Sequence, residues 1–367
     1  MKITVIGGGN IGTLMTAEML YKGHDVTVCS SRPGAWGKQL HVLDAAGEKL
    51  FSADICPVTD SMEEALEGAE MVFVTTPAQT FPVLAQRMEP YAAAGMKVGI
   101  IPGSGGAEYA FSGMMRKGCV LFGFQRVHSI ARLKEYGKSV HMLGRKGELQ
   151  IGAVPACGAQ SVAAVMETLF DMPCRVLPNY LCVTLTPSNP ILHTTRLYSL
   201  FQDYRPGVAY PEPYLFYEGW DDAASEMLFA CDRELQKLCG TIPLDLTTVR
   251  SLADHYESHT VRDMTKKIRS IAAFKGIYAP MEKTAQGWVP DFASRYFTAD
   301  FSFGLKVIME TARLFEVPVP GMESVWHWFE TIRTAEAQNA FRLDLDREDF
   351  LALYRQETDT ADGKYQN

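Results

Sequence analysis

No apolar run in the chain approaches the roughly 20 residues that a bilayer-spanning helix requires. The N-terminus cannot serve as a secretion signal without giving up what reads as the first core strand, so the chain is expected in the cytoplasm, with no membrane partner. A dense lysine and arginine stripe is also missing. With 35 basic against 43 acidic residues the formal charge is -8 and the pI is near 5.6. That leaves no field for phosphate backbones, and nucleic acid is excluded as an expected partner. Eight cysteines, Cys29, Cys56, Cys119, Cys157, Cys174, Cys182, Cys231 and Cys239, stand singly without a C-x-x-C pair or a histidine at ligand spacing. This argues against zinc, and no metal is expected. The thiols read as reduced, mostly buried small hydrophobes. Internal repeats and low-complexity blocks are absent as well.

What is present is ordinary globular composition, 47% apolar and 21% charged over 367 residues, more chain than one core usually organises. Two domains are expected: a dinucleotide-binding α/β domain of Rossmann type with a parallel sheet over 1–178, then an all-α domain over 179–354. The remainder, 355–367, has one alanine and no aliphatic face to bury, and reads as a flexible tail. In the first half, apolar runs at 3–6, 26–28, 71–75 and 97–101 read as buried strands, with further extended runs near 119–124, 140–143 and 149–154. Residues 41–58 contain an Ala-Ala-Gly-Glu turn between short extended runs, a small hairpin insertion. Ser61-Met62-Glu63-Glu64 has capping-box form, and a helix is expected over about 79–94. Beyond about 176 the pattern changes to amphipathic stretches at 221–238, 261–274 and 304–315, and strand signals nearly vanish.

The strongest local signal is Gly7-Gly8-Gly9-Asn10-Ile11-Gly12, a G-x-G-x-x-G fingerprint set between the first strand and its helix. Gly7 suits the tight turn, Gly9 lets backbone approach a pyrophosphate, and Gly12 allows the helix to pack on the strand. Asn10 and Ile11 start the helix whose N-terminus favours the anion. An NAD site places an acid roughly 20 residues further on; here stand Ser30, Ser31 and Arg32, two hydroxyls and a fixed cation suited to a 2′-phosphate. NADP(H) is therefore expected over NAD(H). Thr76 and Pro77, closing the strand at 71–75, are counted with the cofactor residues.

Two polar clusters lie outside this loop. Residues 187–198 read PSNPILHTTRLY, gathering Asn189, His193, Thr194 and Arg196 where the sheet pattern hands over to helices. Residues 294–300 read SRYFTAD, again just before a helix. Local context alone does not settle whether His193 is a buried structural histidine, the ordinary reading of a lone histidine at a helix start, or an acid/base.

The two clusters, with the glycine fingerprint and the loop IIPGSGGAEYAF, resemble the octopine/nopaline (opine) dehydrogenase family over about residues 2–330. The family has Asn-Pro-x-x-His, here Asn189-Pro190-Ile191-Leu192-His193, and Arg-Tyr-x-Thr-Glu-Asp-x-Pro-Tyr-Gly-Leu, here RYFTADFSFGL. Thr194 stands where the family usually has proline, Ala299 replaces the glutamate, Ser302-Phe303 replace Pro-Tyr, and Gln125-Arg126 stand where Glu-Thr is expected. The resemblance implies a helical domain of 6-phosphogluconate-dehydrogenase type. It also implies an NAD(P)H-dependent oxidoreductase acting on CH-NH groups, which condenses an α-keto acid such as pyruvate with the amino group of an amino acid and reduces the imine. It makes His193 the acid/base and Asp300 its orienting partner, with Asn189, Thr194, Arg196 and Arg295 as substrate-binding candidates. A homodimer is compatible with it. A ketopantoate-reductase-like 2-keto acid reductase is the rival enzyme. It relies on a lysine in the helical domain, and no lysine occurs between Lys146 and Lys237. A non-catalytic NADP(H)-binding redox sensor is the rival outside catalysis.

Overall fold

The computed structural model describes residues 1–355; the expected tail, apart from Arg355, lies outside them. In chain order the strands are β1 (Lys2–Ile6), β2 (Asp25–Cys29), β3 (Gln39–Leu43), β4 (Lys49–Asp54), β5 (Val58–Thr59), β6 (Met71–Val74), β7 (Lys97–Ile100), β8 (Val120–Phe124), β9 (Ser129–Glu135), β10 (Ser139–Arg145), β11 (Leu149–Val154), β12 (Cys174–Val176), β13 (Met281–Thr284) and β14 (Gly287–Pro290). Eight form one sheet in the order β12-β11-β8-β7-β6-β1-β2-β5. From β8 to β5 every pairing is parallel. Strand β11 runs antiparallel to β8, a departure from the all-parallel expectation. The chain leaves β1 toward β2 on one side and returns to β6 on the other, so the strand order reverses at β1. That reversal opens the crevice where doubly wound sheets take a dinucleotide.

The first helix, Asn10–Tyr21, is buried continuously from Gly12 to Met19, because it is covered on two sides. Met15 and Met19 pack on the large sheet with Ile3 and Val5. Leu14 and Ala17 pack on Leu40, Val42, Ala131 and Val140 of a second, four-stranded sheet, β4-β3-β10-β9. The expected hairpin is β3–β4, its turn fixed by Asp44, which accepts from the amides of Ala46 and Glu48. Its extension by β9 and β10 was not expected. The helix's buried acid, Glu18, binds His128 Nε2 and Arg145 Nη1, both at 2.7 Å.

Other local readings hold or shorten. Ser61 caps the Met62–Leu66 helix by accepting from the Glu64 amide. The helix expected over 79–94 is Phe81–Met88, with Pro82 in its first turn, flanked by single 3-10 turns of which the second, Glu89–Tyr91, carries Pro90, since proline suits a first turn and breaks an interior. Of the cysteines, all free, Cys29, Cys119, Cys182 and Cys231 are buried, three are half-buried and Cys157 is exposed.

After β12 the chain is helical, with Leu192–Phe201, Asp222–Thr241, Val261–Ser270, Lys306–Leu314, Pro320–Ile332 and Arg347–Tyr354 as main elements. The antiparallel hairpin β13–β14 interrupts it, a correction to the all-α expectation. One apolar core runs from the β6 and β7 face through Tyr180, Leu197 and Trp220 to Phe301 and Phe329. Three successive strand ends are tied to this half. Gln79 after β6 donates to Thr298 at 3.2 Å, Tyr180 donates to the Gly103 carbonyl after β7 at 2.8 Å, and Gln125 after β8 donates to the Cys182 and Thr248 carbonyls. The carboxyl edge of the sheet, where such folds bind ligands, therefore faces the helices. Among the described residues no helix is long and apolar enough to cross a membrane.

Candidate active site

The glycine loop is built as a dinucleotide cradle. Gly7 has φ +109°, open to glycine and strained for other residues. A Cβ on Gly12 would stand 1.9 Å from the Gly7 carbonyl oxygen, whereas one on Gly9 would meet nothing within 4 Å. Gly12 thus permits the close turn, and Gly9 fronts open space where a pyrophosphate has room. Asn10 accepts from the Leu133 amide at 2.9 Å, pinning the loop to β9, and Ile11 is half-buried behind it. Thr76 accepts from the Thr80 hydroxyl, and Pro77 is exposed on the neighbouring strand end.

Ser31 and Arg32 are exposed at the end of β2. The Arg32 guanidinium lies 3.9 Å from the centre of the Tyr136 ring, a stacking that holds it at the crevice. Ser30 corrects the expectation. It is 4% exposed, and its hydroxyl is taken by Tyr136 Oη at 2.8 Å and the Arg32 amide at 3.2 Å, so it shapes the turn instead of facing a ligand. These residues fit a nicotinamide dinucleotide: a cradle that a Cβ would fill, an open Gly9 face and a free cation beyond β2.

Across the sheet edge, His193 and Asp300 meet. His193 lies in the first turn of Leu192–Phe201, and Asp300 precedes a π-helical turn, Phe301–Leu305. The two turns approach closely because Gly304 faces Pro190, where a Cβ would already stand 3.3–3.4 Å from three proline atoms. The Leu305 amide donates to the Asp300 carbonyl across the widened turn, a distortion frequent at functional sites. His193 Nδ1 and Asp300 Oδ2 are 2.8 Å apart, at 6% and 7% exposure. An ionised carboxylate only accepts, so Nδ1 donates to Asp300 and the Nε2 lone pair points the other way.

There it meets Tyr217 Oη at 3.1 Å. Burial, with Tyr296, Tyr256 and Asp300 adding to it, pushes the Tyr217 phenol well above its ordinary value. It therefore stays protonated and donates to Nε2. Phe216 meets the imidazole edge-on at 5.6 Å and Tyr296 flanks it at 4.8 Å, which keeps bulk water from the ring. Nothing in the sequence singles out Tyr217 from the aromatic stretch around it. Arg132 of β9 is a second residue the sequence did not reveal: its charge reaches both Tyr217 and Tyr296.

The expected substrate contacts divide. Asn189 is half-buried, with its carbonyl accepting from the His193 amide. Arg295 is exposed beside Tyr296, 5.3 Å from the ring centre. Arg196 and Thr194 are corrected. Arg196 is 1% exposed; its Nε donates to Phe216 O, Nη1 to Asp221, and Nη2 to the Gly219 and Leu215 carbonyls. Thr194 donates to the Pro190 carbonyl one turn back. Both are occupied in building the helix and its neighbouring loop. Among the described residues no lysine is hydrogen-bonded or ion-paired to His193, Asp300 or Tyr217. Nor does any group of three or more His, Cys, Asp and Glu side chains there suit a metal ion.

Residues 176–333 match the family profile described as NAD/NADP octopine/nopaline dehydrogenase, alpha-helical domain. Residues 2–107 match one described as NADP oxidoreductase, coenzyme F420-dependent. An uncharacterised protein of Sinorhizobium fredii is 30% identical, covering 89% of this chain and 94% of its own length. Tauropine dehydrogenase of Arabella iricolor is 26% identical, covering 91% and 92%. An octopine dehydrogenase structure with NADH and pyruvate superposes with a TM-score of 0.75 at 24% identity, covering 90% of this chain and 88% of that one.

Proposed function

Because the chain belongs to the octopine/nopaline dehydrogenase family, we propose that it is an opine dehydrogenase, joining an α-keto acid to the amino group of an amino acid and reducing the product to a secondary amine. The observation that carries this reading is the His193–Asp300 pair at 2.8 Å, set opposite the glycine loop at the carboxyl edge of the sheet. Condensation requires a proton to leave the attacking amine and another to reach the departing hydroxyl. A histidine serves both steps because an imidazole can accept a proton and give it back. Asp300 fixes the tautomer and stabilises the imidazolium, and the Tyr217 hydroxyl on Nε2 relays the proton, passing its own to Nε2 as it takes one from the substrate and reversing this for the departing hydroxyl. Bound nicotinamide dinucleotide supplies the hydride. Arg295, beside Tyr296, and Arg132, whose charge also reaches Tyr296, are the clamps for the two α-carboxylates, since a guanidinium binds a carboxylate bidentately, and Asn189 orients what they hold.

The cofactor in this reading is NADP(H). Arg32, stacked on Tyr136, supplies a cation beyond β2, and no acid stands there for a ribose hydroxyl. The test is a matrix of keto acids against amino acids, following NADPH oxidation and product mass. Products heavier than the amino acid by the keto acid less one oxygen atom support the reading; no secondary amine from any pair overturns it. A kcat/KM with NADH equal to or above that with NADPH overturns the cofactor preference.

A further inference from the structure

A knot of positive charge lies beside the dyad and takes no part in it. Arg126 follows the end of β8 and donates from Nε to the Ser188 hydroxyl at 3.1 Å. It has no acidic partner among the described residues. Burial lowers its guanidinium from the ordinary value, with Tyr256 opposing and Arg250 adding to the effect. Lys146 is lowered by burial and then by Arg126, and His255 is pushed down to about 4 by burial and then by Arg126, Lys146 and Arg250. Cations out of water are normally paired. Arg126 is half-buried, with Lys146 and Arg250 exposed in its electrostatic reach, and no carboxylate pairs with its guanidinium among the described residues; such a cluster has the charge to take an anion.

Geometry puts this knot on the substrate path. Ser188 immediately precedes Asn189 in the turn that starts the His193 helix. Gln125 binds the Thr248 carbonyl, drawing the chain that carries Arg250 against the end of β8. Tyr256 is buried and lies within electrostatic reach of both Arg126 and Tyr217, and Tyr217 holds His193. A monocarboxylic keto acid and a neutral amino acid bring two carboxylates, which Arg295 and Arg132 accommodate. Arg126 then has no anion left to bind.

We propose that Arg126, supported by Lys146 and Arg250, binds a further anionic group of the substrates, a carboxylate or sulfonate beyond the two α-carboxylates. The proposal rests on the opine dehydrogenase reading and names its substrate class: one partner is a dicarboxylic keto acid or an amino acid with an acidic side chain.

Calorimetric titration of glutarate and of butyrate into the NADP-loaded protein tests the anion site without turnover. Glutarate is expected to bind at least about tenfold more tightly, the scale of one or two charge-assisted hydrogen bonds. Arg126→Gln should abolish the difference and Lys146→Gln, at an exposed position, should reduce it, while His193→Ala leaves it intact. Equal affinity for the two acids, or a preference unchanged in both charge variants, overturns the proposal. Steady-state arms then identify the source. One pairs a dicarboxylic keto acid with a neutral amino acid, the other a monocarboxylic keto acid with an acidic amino acid. The pair whose KM rises in Arg126→Gln with kcat kept carries the anion, and a rise in neither arm counts against the site. Absence of product from every pair refutes the opine reading alone, and the calorimetry still decides the anion site.

Discussion

At the scale of single residues, two positions one helical turn apart are expected to behave oppositely. His193 reaches Asp300 and Tyr217, whereas Arg196 spends its guanidinium on backbone carbonyls and Asp221. His193→Ala or Asp300→Asn should fold, bind NADPH with unchanged affinity and lose turnover by about 100-fold or more, the usual worth of general acid/base help. Turnover near that of the parent in both variants would refute the dyad. Arg196→Ala leaves buried carbonyls without donors and should lower unfolding free energy by about 2–3 kcal/mol in a denaturant titration. Its folded fraction should retain kcat. If Arg196→Ala instead raises KM for substrate at unchanged stability, the arginine is a substrate clamp after all.

At the scale of elements, the π-helical turn and the start of the His193 helix form one unit whose fit depends on Gly304. In Gly304→Ala the new methyl would stand 3.3–3.4 Å from Pro190, and the turns must part by a few tenths of an ångström. A change of that size at a reacting pair is expected to lower kcat by about tenfold, while overpacking costs roughly 1–3 kcal/mol. Measuring kcat beside the NADPH dissociation constant separates the two effects, and unchanged kcat would show that the approach is not critical. The same elements explain what was readable from sequence. The glycine fingerprint was legible because strand, turn and helix are consecutive, and each glycine answers a local steric demand. The encounter of His193 with Asp300, 107 residues apart, is nonlocal and came into view only through two motifs considered together. Arg196 misled because it stands in the same short polar cluster as His193, yet its long side chain turns to the neighbouring loop. Tyr217 and Arg132 gave no signal, one among many aromatics and one on a strand whose apolar pattern reveals a buried face but not what the other face meets. Nor does apolar periodicity encode direction, so the reversal of β11 and the late β13–β14 hairpin escaped it.

At the scale of the whole molecule, one buried carboxyl joins parts far apart in the chain. Glu108, just beyond β7, accepts through Oε1 from the Thr184 hydroxyl at 2.5 Å and from Tyr354 Oη at 2.7 Å; Tyr354 in turn lies 2.6 Å from Tyr109 Oη. The sheet domain, the first helical turns after it and the Arg347–Tyr354 helix thus share one knot, and Glu108 Oε2 is buried there without a partner. Burial pushes this carboxyl up to about 7. A carboxyl raised in the folded state binds its proton more tightly there than in the unfolded chain. Between its unfolded value of about 4.5 and 7, stability therefore falls as pH rises, and above 7 the loss is complete. At 1.36 kcal/mol per unit the full difference is about 3 kcal/mol. Glu108→Gln keeps an oxygen for Thr184 and Tyr354 and removes the ionisation. It should raise the melting temperature at pH 8, with the advantage over the parent shrinking steadily toward pH 5. A variant less stable than the parent at pH 8 would mean that the charged carboxylate, and not the acid, is the form that holds the domains and the Arg347–Tyr354 helix together.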